Sequence, residues 1–329
     1  MGHLGVISSD TRALKRWRLG AGALFALLTV GATVLVARRL TESSWPLAHA
    51  SMVLVGASAA CYFASFVLRA RGWHRLFPTE EKPDHARCLA SVGAAAASGF
   101  VLPFRLDYLI KIGTLRKLGG IRVGLEAIAL SIVSLGMVDA VAMLPLSISA
   151  TATSSDGFRV PLVIVVLFGL GCFSLLVASA HLVRLPLLNR SERLCRLAAH
   201  VSHHRTPQGR RSAIVAAGYL LGCWTTRAVG SALLLSALGF AFSPQTALCV
   251  LCLSAAAAVI PITSGGAVAN VGATAGILLA LGAGKDVAIN FSLASGLLLV
   301  TSGAVAGLVG VGFSVAGSLQ QRRAAVRPT

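Results

Sequence analysis

The chain has 329 residues, of which 56% are hydrophobic and only 12% charged, with a mean hydropathy of +0.80. Soluble domains carry about twice that charged fraction, so composition excludes an ordinary soluble globule. The formal charge of +18 invites a nucleic-acid reading, but the Lys and Arg residues cluster between apolar runs. A polytopic membrane protein with no nucleic-acid partner is therefore expected.

Six apolar runs are long enough to cross a hydrocarbon core: 20 to 37, 47 to 68, 127 to 149, 160 to 183, 213 to 240 and 287 to 313. None alternates as barrel strands do, and lipid leaves no other way to satisfy their backbone groups, so all are expected as helices. The fold class is an all-α polytopic membrane protein: six full transmembrane helices plus two broken or re-entrant segments, or eight spans if both of these cross.

In chain order, Lys15, Arg16 and Arg18 precede the first run, which resembles a signal peptide. The run is too long, however, and Arg38 and Arg39 follow it with no small-residue cleavage site, so an uncleaved span is expected. Trp17 and Trp45 stand at expected span ends, as interfacial anchors do. Basic clusters occupy Arg12 to Arg18, Arg69 to Arg87, Arg105 to Arg122, Arg184 to Arg211 and the tail. The positive-inside rule makes these segments cytoplasmic, and with them both termini; the chain is a multi-pass protein of the cytoplasmic membrane. Anionic headgroups of that leaflet are the natural partners of the charge.

The Arg- and His-rich connector 184–212 separates a first half, 1–183, from a second, 213–329, within one membrane domain. Each half contains an interrupted segment of similar wording, "AAAASGFVLPFR" from Ala94 and "SAAAAVIPITS" from Ser254. The first begins and ends among cytoplasmic charges and the second on the opposite side. As hairpins they would enter from opposite faces and meet near the midplane, with Pro103 and Pro261 as hinges or gates. A tight extramembrane turn at 261 to 266 is the alternative.

Two charges fall inside spans, Asp139 in "SLGMVDAVAML" and Arg227 in "GCWTTRAVGSA". A charge at that depth is costly unless paired or hydrated, and similar distances from the cytoplasmic face suggest that the two form an ion pair. In the functional reading Arg227 holds a lipid phosphate and Asp139 is its resting partner; in the structural one the pair only fastens two helices. Arg105, Asp107 and Lys111 follow the first break and can meet an anionic headgroup or form a solvated interfacial helix. Thr263, Ser264, Gly265, Gly266 and Asn270 offer hydroxyls, an amide and backbone N–H groups at a helix start, where an anion is favoured. Gly272 to Gly276 and Gly303 to Gly307 have the GxxxG spacing of helix contacts.

Other patterns carry no chemistry. Cys249 and Cys252 are spaced as CxxC but lack a second ligand pair, the seven cysteines imply no disulfide framework, and His200, His203 and His204 sit in a basic loop. No metal, cofactor or catalytic residue is assigned, and neither a Walker loop nor a nucleophile elbow is present.

At these residues the chain resembles the transmembrane, flippase-like region of the lysylphosphatidylglycerol synthetase family, also catalogued as a UPF0104-type family. The likeness lies in "VLPFRLDYLIKIGTLRKLGG", similar to a Leu-Pro-x-Arg-Leu segment and basic helix, and in "VIPITSGGAVANVGATAGILLALGAGKDVAI", similar to a Pro-x-Ser/Thr-x-Gly-Gly segment; Asp139 falls where the family often has an Asp. The chain departs from the pattern at Asp107 and Tyr108, in "SLGMVD", and at Asn270 and Val271. The resemblance implies movement or binding of an anionic phospholipid or lipid-linked substrate, without the soluble aminoacyl-transferring domain. The alternatives are a transferase on a lipid-linked donor, with Asp107 or Glu126 as base, and a scaffold whose 184–212 loop docks a separate synthase or transferase.

Overall fold

The computed structural model describes residues 47, 50–78, 81–99, 106–119, 124–154, 156–182, 207–241, 243–259 and 266–326. Among them are nine helices and no strand: α1 Met52–Arg75, α2 His85–Gly99, α3 Asp107–Gly119, α4 Leu125–Thr153, α5 Asp156–Leu182, α6 Pro207–Ala237, α7 Pro244–Val259, α8 Gly266–Ala280 and α9 Lys285–Val326. Five of these, α1, α4, α5, α6 and α9, are long and apolar enough to cross a membrane. The chain is a polytopic helical membrane protein. The first apolar run, 20 to 37, with Trp17 and Trp45, lies outside the described residues.

The boundary of α1 differs from the hydropathy reading. The apolar run weakens after residue 68, yet no breaker occurs before Pro78, so the helix continues to Arg75. His74 and Arg75 in its last turn favour the negative end of the helix dipole. This extension carries Arg69 into the helix instead of leaving it in a cytoplasmic loop.

Small residues set the packing, because lipid tails give helices no hydrophobic reason to associate and close van der Waals contact must do so instead. Helix α1 runs antiparallel to α6: Ser58 Oγ donates to the Gly230 carbonyl at 2.8 Å, while at the other end Gly72 lies against Ala216 and Leu220. Helix α2 runs antiparallel to α9 along a glycine seam. A Cβ on Gly93 would strike the backbone of Gly307, one on Gly303 would meet Ala96, and one on Gly310 would strike Ala90. Gly303 and Gly307 are thus helix contacts as expected. Gly272 and Gly276 show no such contact: among the described residues, no atom outside the helix's own turns comes within 4 Å of a Cβ built on either.

The short helices form two packed pairs, α2 with α3 and α7 with α8. Their lengths of 15, 13, 16 and 15 residues correspond to about 20 to 24 Å each, less than the roughly 30 Å hydrocarbon core. The first pair starts where α1 ends and the second where α6 ends; since α1 and α6 are antiparallel, the two hairpins start at opposite ends of the bundle. Each is also flanked by long helices, α1 and α4 around the first and α6 and α9 around the second. The tips that would meet at the midplane, with Pro103 and Pro261, lie outside the described residues.

Candidate functional site

Along α1 the residues Ser58, Tyr62, Ser65, Arg69 and Trp73 recur at intervals of three or four, which places them on one helical face. Tyr62 and Ser231 of α6 share a hydrogen bond of 3.1 Å between hydroxyls, so the face is turned toward α6. Next along it, Arg69 Nη2 donates to Asp139 Oδ2 at 2.6 Å. The other oxygen, Oδ1, accepts from Trp224 Nε1 at 2.7 Å. The carboxylate of α4 is thereby fixed from two sides, by a guanidinium of α1 and an indole of α6.

The expected pair of Asp139 with Arg227 is not what forms. Trp224 occupies the place beside the carboxylate, and Arg227 lies three residues farther along α6, about 4.5 Å of rise away and turned from it by roughly 60°. Arg227 instead donates through Nε to Ser65 Oγ at 3.1 Å. Its guanidinium carbon lies 5.2 Å from the ring centroids of both Phe66 and Trp224. Among the described residues it meets no carboxylate.

Lys111 of α3 is 6% exposed, although it belongs to the most charged of the short helices. Its ammonium stands 4.1 Å from the ring centroid of Trp73, whose Nε1 donates to Ser131 Oγ at 3.0 Å. Ser91 of α2 donates to the Lys111 carbonyl, tying the two arms of the hairpin together. Lys111 feels the charges of Arg69, Asp139 and Asp107, but no carboxylate within the described residues reaches ion-pair distance. A solvated interfacial position for Lys111 is thus corrected by its burial.

Of the residues singled out from sequence, Asp139 and Arg227 share Trp224 as a neighbour, and Lys111 lies within electrostatic reach of Asp139. Asp107 opens α3 one turn before Lys111 and lies beside Gly99. Glu126 is exposed in the first turn of α4. Gly266 and Asn270 belong to the first turns of α8, although the Asn270 side chain is outside the described residues, as are Pro103, Arg105, Pro261, Thr263, Ser264 and Gly265. Sequence reasoning missed Arg69, Trp224, Trp73 and Ser65. The three- and four-residue spacing of polar and aromatic side chains through α1 is the signal that could have found three of these four.

Partly buried charges in the long helices α1, α4 and α6, with the buried Lys111 of the short helix α3, in contact with aromatic side chains, define a membrane protein with a polar centre inside its helix bundle. The chain belongs to the lysylphosphatidylglycerol synthase TM region family, whose model matches residues 17–307. None of the curated proteins and no solved structure matches it. It is accordingly a membrane protein of a family tied to lipid modification or translocation.

Proposed function

We propose that the chain translocates a phosphate-bearing lipid or lipid-linked substrate across the cytoplasmic membrane, receiving the headgroup at Arg227 and Lys111. The observation that carries this reading is the charge balance of the site. Each oxygen of Asp139 is engaged, by Arg69 and by Trp224, whereas among the described residues Arg227 and Lys111 meet a hydroxyl and aromatic faces but no carboxylate at ion-pair distance. Cation–π contacts contribute about 0.5 to 2 kcal/mol each, less than the several kcal/mol that desolvating a charge costs. An arriving phosphate offsets the remainder, and a guanidinium can grip two of its oxygens at once.

The hairpins support the same reading. Segments too short to cross, beginning at opposite ends of the bundle and flanked by long helices, are how many transporters place a site between two gates. The face at which α1 ends, rich in Arg71, Arg75, Lys82 and Arg87, is the cytoplasmic one in this proposal.

Proteoliposomes carrying fluorescent phospholipids test it. Leaflet exchange above the protein-free rate, lost in a folded Arg227→Ala variant, would support the reading. Wild-type exchange in that variant would overturn the site assignment. No exchange of any phospholipid, with or without an imposed proton or sodium gradient, would overturn translocation.

A further inference from the structure

The helices fall into two groups by how closely their backbones meet. In the first, α1 closes on α6: a Cβ on Gly72 would stand 3.3 Å from the Ala216 carbonyl and one on Gly230 3.4 Å from that of Ser58. Helix α2 closes on α9 more tightly still, since a Cβ on Gly93 or on Gly310 would fall 2.3 Å from a backbone nitrogen of the facing helix. Ser302 of α9 donates to the Ala59 carbonyl of α1 at 3.4 Å, and Ser91 of α2 holds α3, so these five helices form one body. The second body is α4 with α5, where a Cβ on Gly169 would lie 2.6 Å from Leu144 and 3.0 Å from the Ala140 carbonyl.

The junction between the two bodies is built differently. No helical glycine among the described residues finds its nearest neighbours across it, and Gly136 of α4 has none within 4 Å. Ile128, Leu135, Val138 and Ala142 of α4 supply apolar contact there, which lipid tails can replace at little cost. Helix α7 adds contact of the same kind, its Cys249, Cys252 and Leu253 sharing an apolar cluster with Met143, Leu162 and Trp224. Directional bonds cross the junction at Asp139, from Arg69 and Trp224, and at Ser131, from Trp73 at 3.0 Å. In each of these the donor belongs to the five-helix body and the acceptor to α4. Ser134, spaced three and four residues from Ser131 and Val138 on that face of α4, is fully buried, yet its hydroxyl has no hydrogen-bond partner among the described residues. Buried hydroxyls are ordinarily paired, and an arrangement in which α4 stands away from its neighbours gives this one access to a partner.

We propose that α4 and α5 move as one arm against the five-helix body, with Asp139 as the latch between them. Packed bodies that tilt or slide across one weak junction are a general means of opening a protein's interior. Withdrawal of α4 uncovers Arg69 and Trp224 together and opens the polar centre, whatever its substrate.

Nitroxide pairs read the movement in the full chain, in a background with the seven cysteines replaced that keeps the wild-type melting temperature. Phe313→Cys on α9 reports within the five-helix body when paired with Val53→Cys on α1, and across the junction when paired with Gly157→Cys on α5; all three positions are exposed. Pulsed dipolar distances of the cross pair are expected to hold a second, displaced population. In Asp139→Asn it grows about tenfold or more, the equilibrium factor of one hydrogen bond to a charged group, while the pair within the body keeps its distance. Trp224→Phe deletes one latch bond and leaves the ion pair, so it shifts the same population in the same direction and decides the matter where Asp139→Asn does not fold. A cross pair that stays put in the folded variants, or two pairs that change alike, would overturn the proposal. Lipid exchange in proteoliposomes keeps it apart from the translocator reading: displacement without exchange sinks translocation alone, whereas exchange with distances unmoved in the variants sinks the arm alone.

Discussion

Arg69 and Asp139, seventy positions apart in sequence, meet at 2.6 Å inside the bundle, and their pairing decides how the remaining charges are distributed. Asp139 sits at the middle of the 29-residue helix α4, where an unpaired carboxylate would be costly. Because Arg69 takes one oxygen and the Trp224 indole the other, the carboxylate is satisfied without Arg227. In the proposed function, the positive charge left over is what receives the headgroup.

The pair is partly buried, its side chains 22% and 13% exposed. Removing one partner strands the other, so Asp139→Ala should destabilise the fold by up to about 3 to 5 kcal/mol, the range for a fully buried pair. Replacing both, as Arg69→Met with Asp139→Leu, should recover most of that loss. Thermal unfolding in detergent of the single and double variants gives the coupling; additive losses would show that the two side chains do not act together.

Trp224 does two things at once, donating to Asp139 at 2.7 Å and presenting a ring face to Arg227 at 5.2 Å. Trp224→Phe keeps a ring and deletes the donor. It should cost about 1.5 to 3 kcal/mol, the usual range for a hydrogen bond to a charged group. The same variant in an Asp139→Asn background should cost clearly less. An equal cost in both backgrounds would mean that the indole contributes packing alone.

The membrane class, the long spans and the two interrupted segments are legible because hydropathy over some twenty residues and the presence of Pro or Gly are local properties. Asp139, Arg227 and Lys111 were also legible, since a charge in an apolar setting is conspicuous. Their partners were not. Arg69 stands beside Arg71 and Arg75 and reads as part of a loop until the helix is known to run on to Arg75. Likewise, the choice between Arg69 and Arg227 for Asp139 depends on the rotation of α6 about its own axis, which no spacing along one helix encodes. The glycines divide in the same way: spacing treats Gly272 and Gly303 alike, and only the neighbouring helix α2 distinguishes them.

The seam between α2 and α9 should be intolerant of any side chain. A Cβ at Gly93 would fall on the backbone of Gly307, which cannot swing aside as a side chain can. Gly93→Val should therefore cost at least the roughly 1 to 3 kcal/mol of an overpacked core. Among the described residues, Gly56→Ala and Gly136→Ala meet nothing within 4 Å of the new Cβ and should be neutral or gain up to about 1 kcal/mol of helix propensity. Melting temperatures in detergent would check the contrast, and a tolerated Gly93→Val would contradict the packing of the seam.

The hairpins' opposite ends can be read by labelling. In a background with the seven cysteines replaced, Glu126→Cys lies at the end of the bundle where the first hairpin starts and Lys285→Cys at the end where the second closes. A membrane-impermeant maleimide applied to intact cells should modify the second and spare the first until the membrane is permeabilised. Labelling of both from outside would contradict the antiparallel arrangement of α1 and α6 as placed in the membrane.

Lys111→Met offers the sharpest contrast between folding and function. Methionine keeps much of the apolar stem that packs on Trp73 and removes a charge that is 6% exposed and has no carboxylate at ion-pair distance among the described residues. Desolvating that charge costs the apo protein several kcal/mol, while the lost cation–π contact contributed about 0.5 to 2 kcal/mol. The variant should thus melt at the wild-type temperature or above it, yet bind and exchange anionic lipid more weakly, as happens where a site stores strain for its ligand. Calorimetry of the lipid-free protein beside an exchange assay separates the two quantities. A variant that loses stability by more than about 2 kcal/mol, the upper value of the contact itself, would make Lys111 a structural residue whose charge is compensated within the protein.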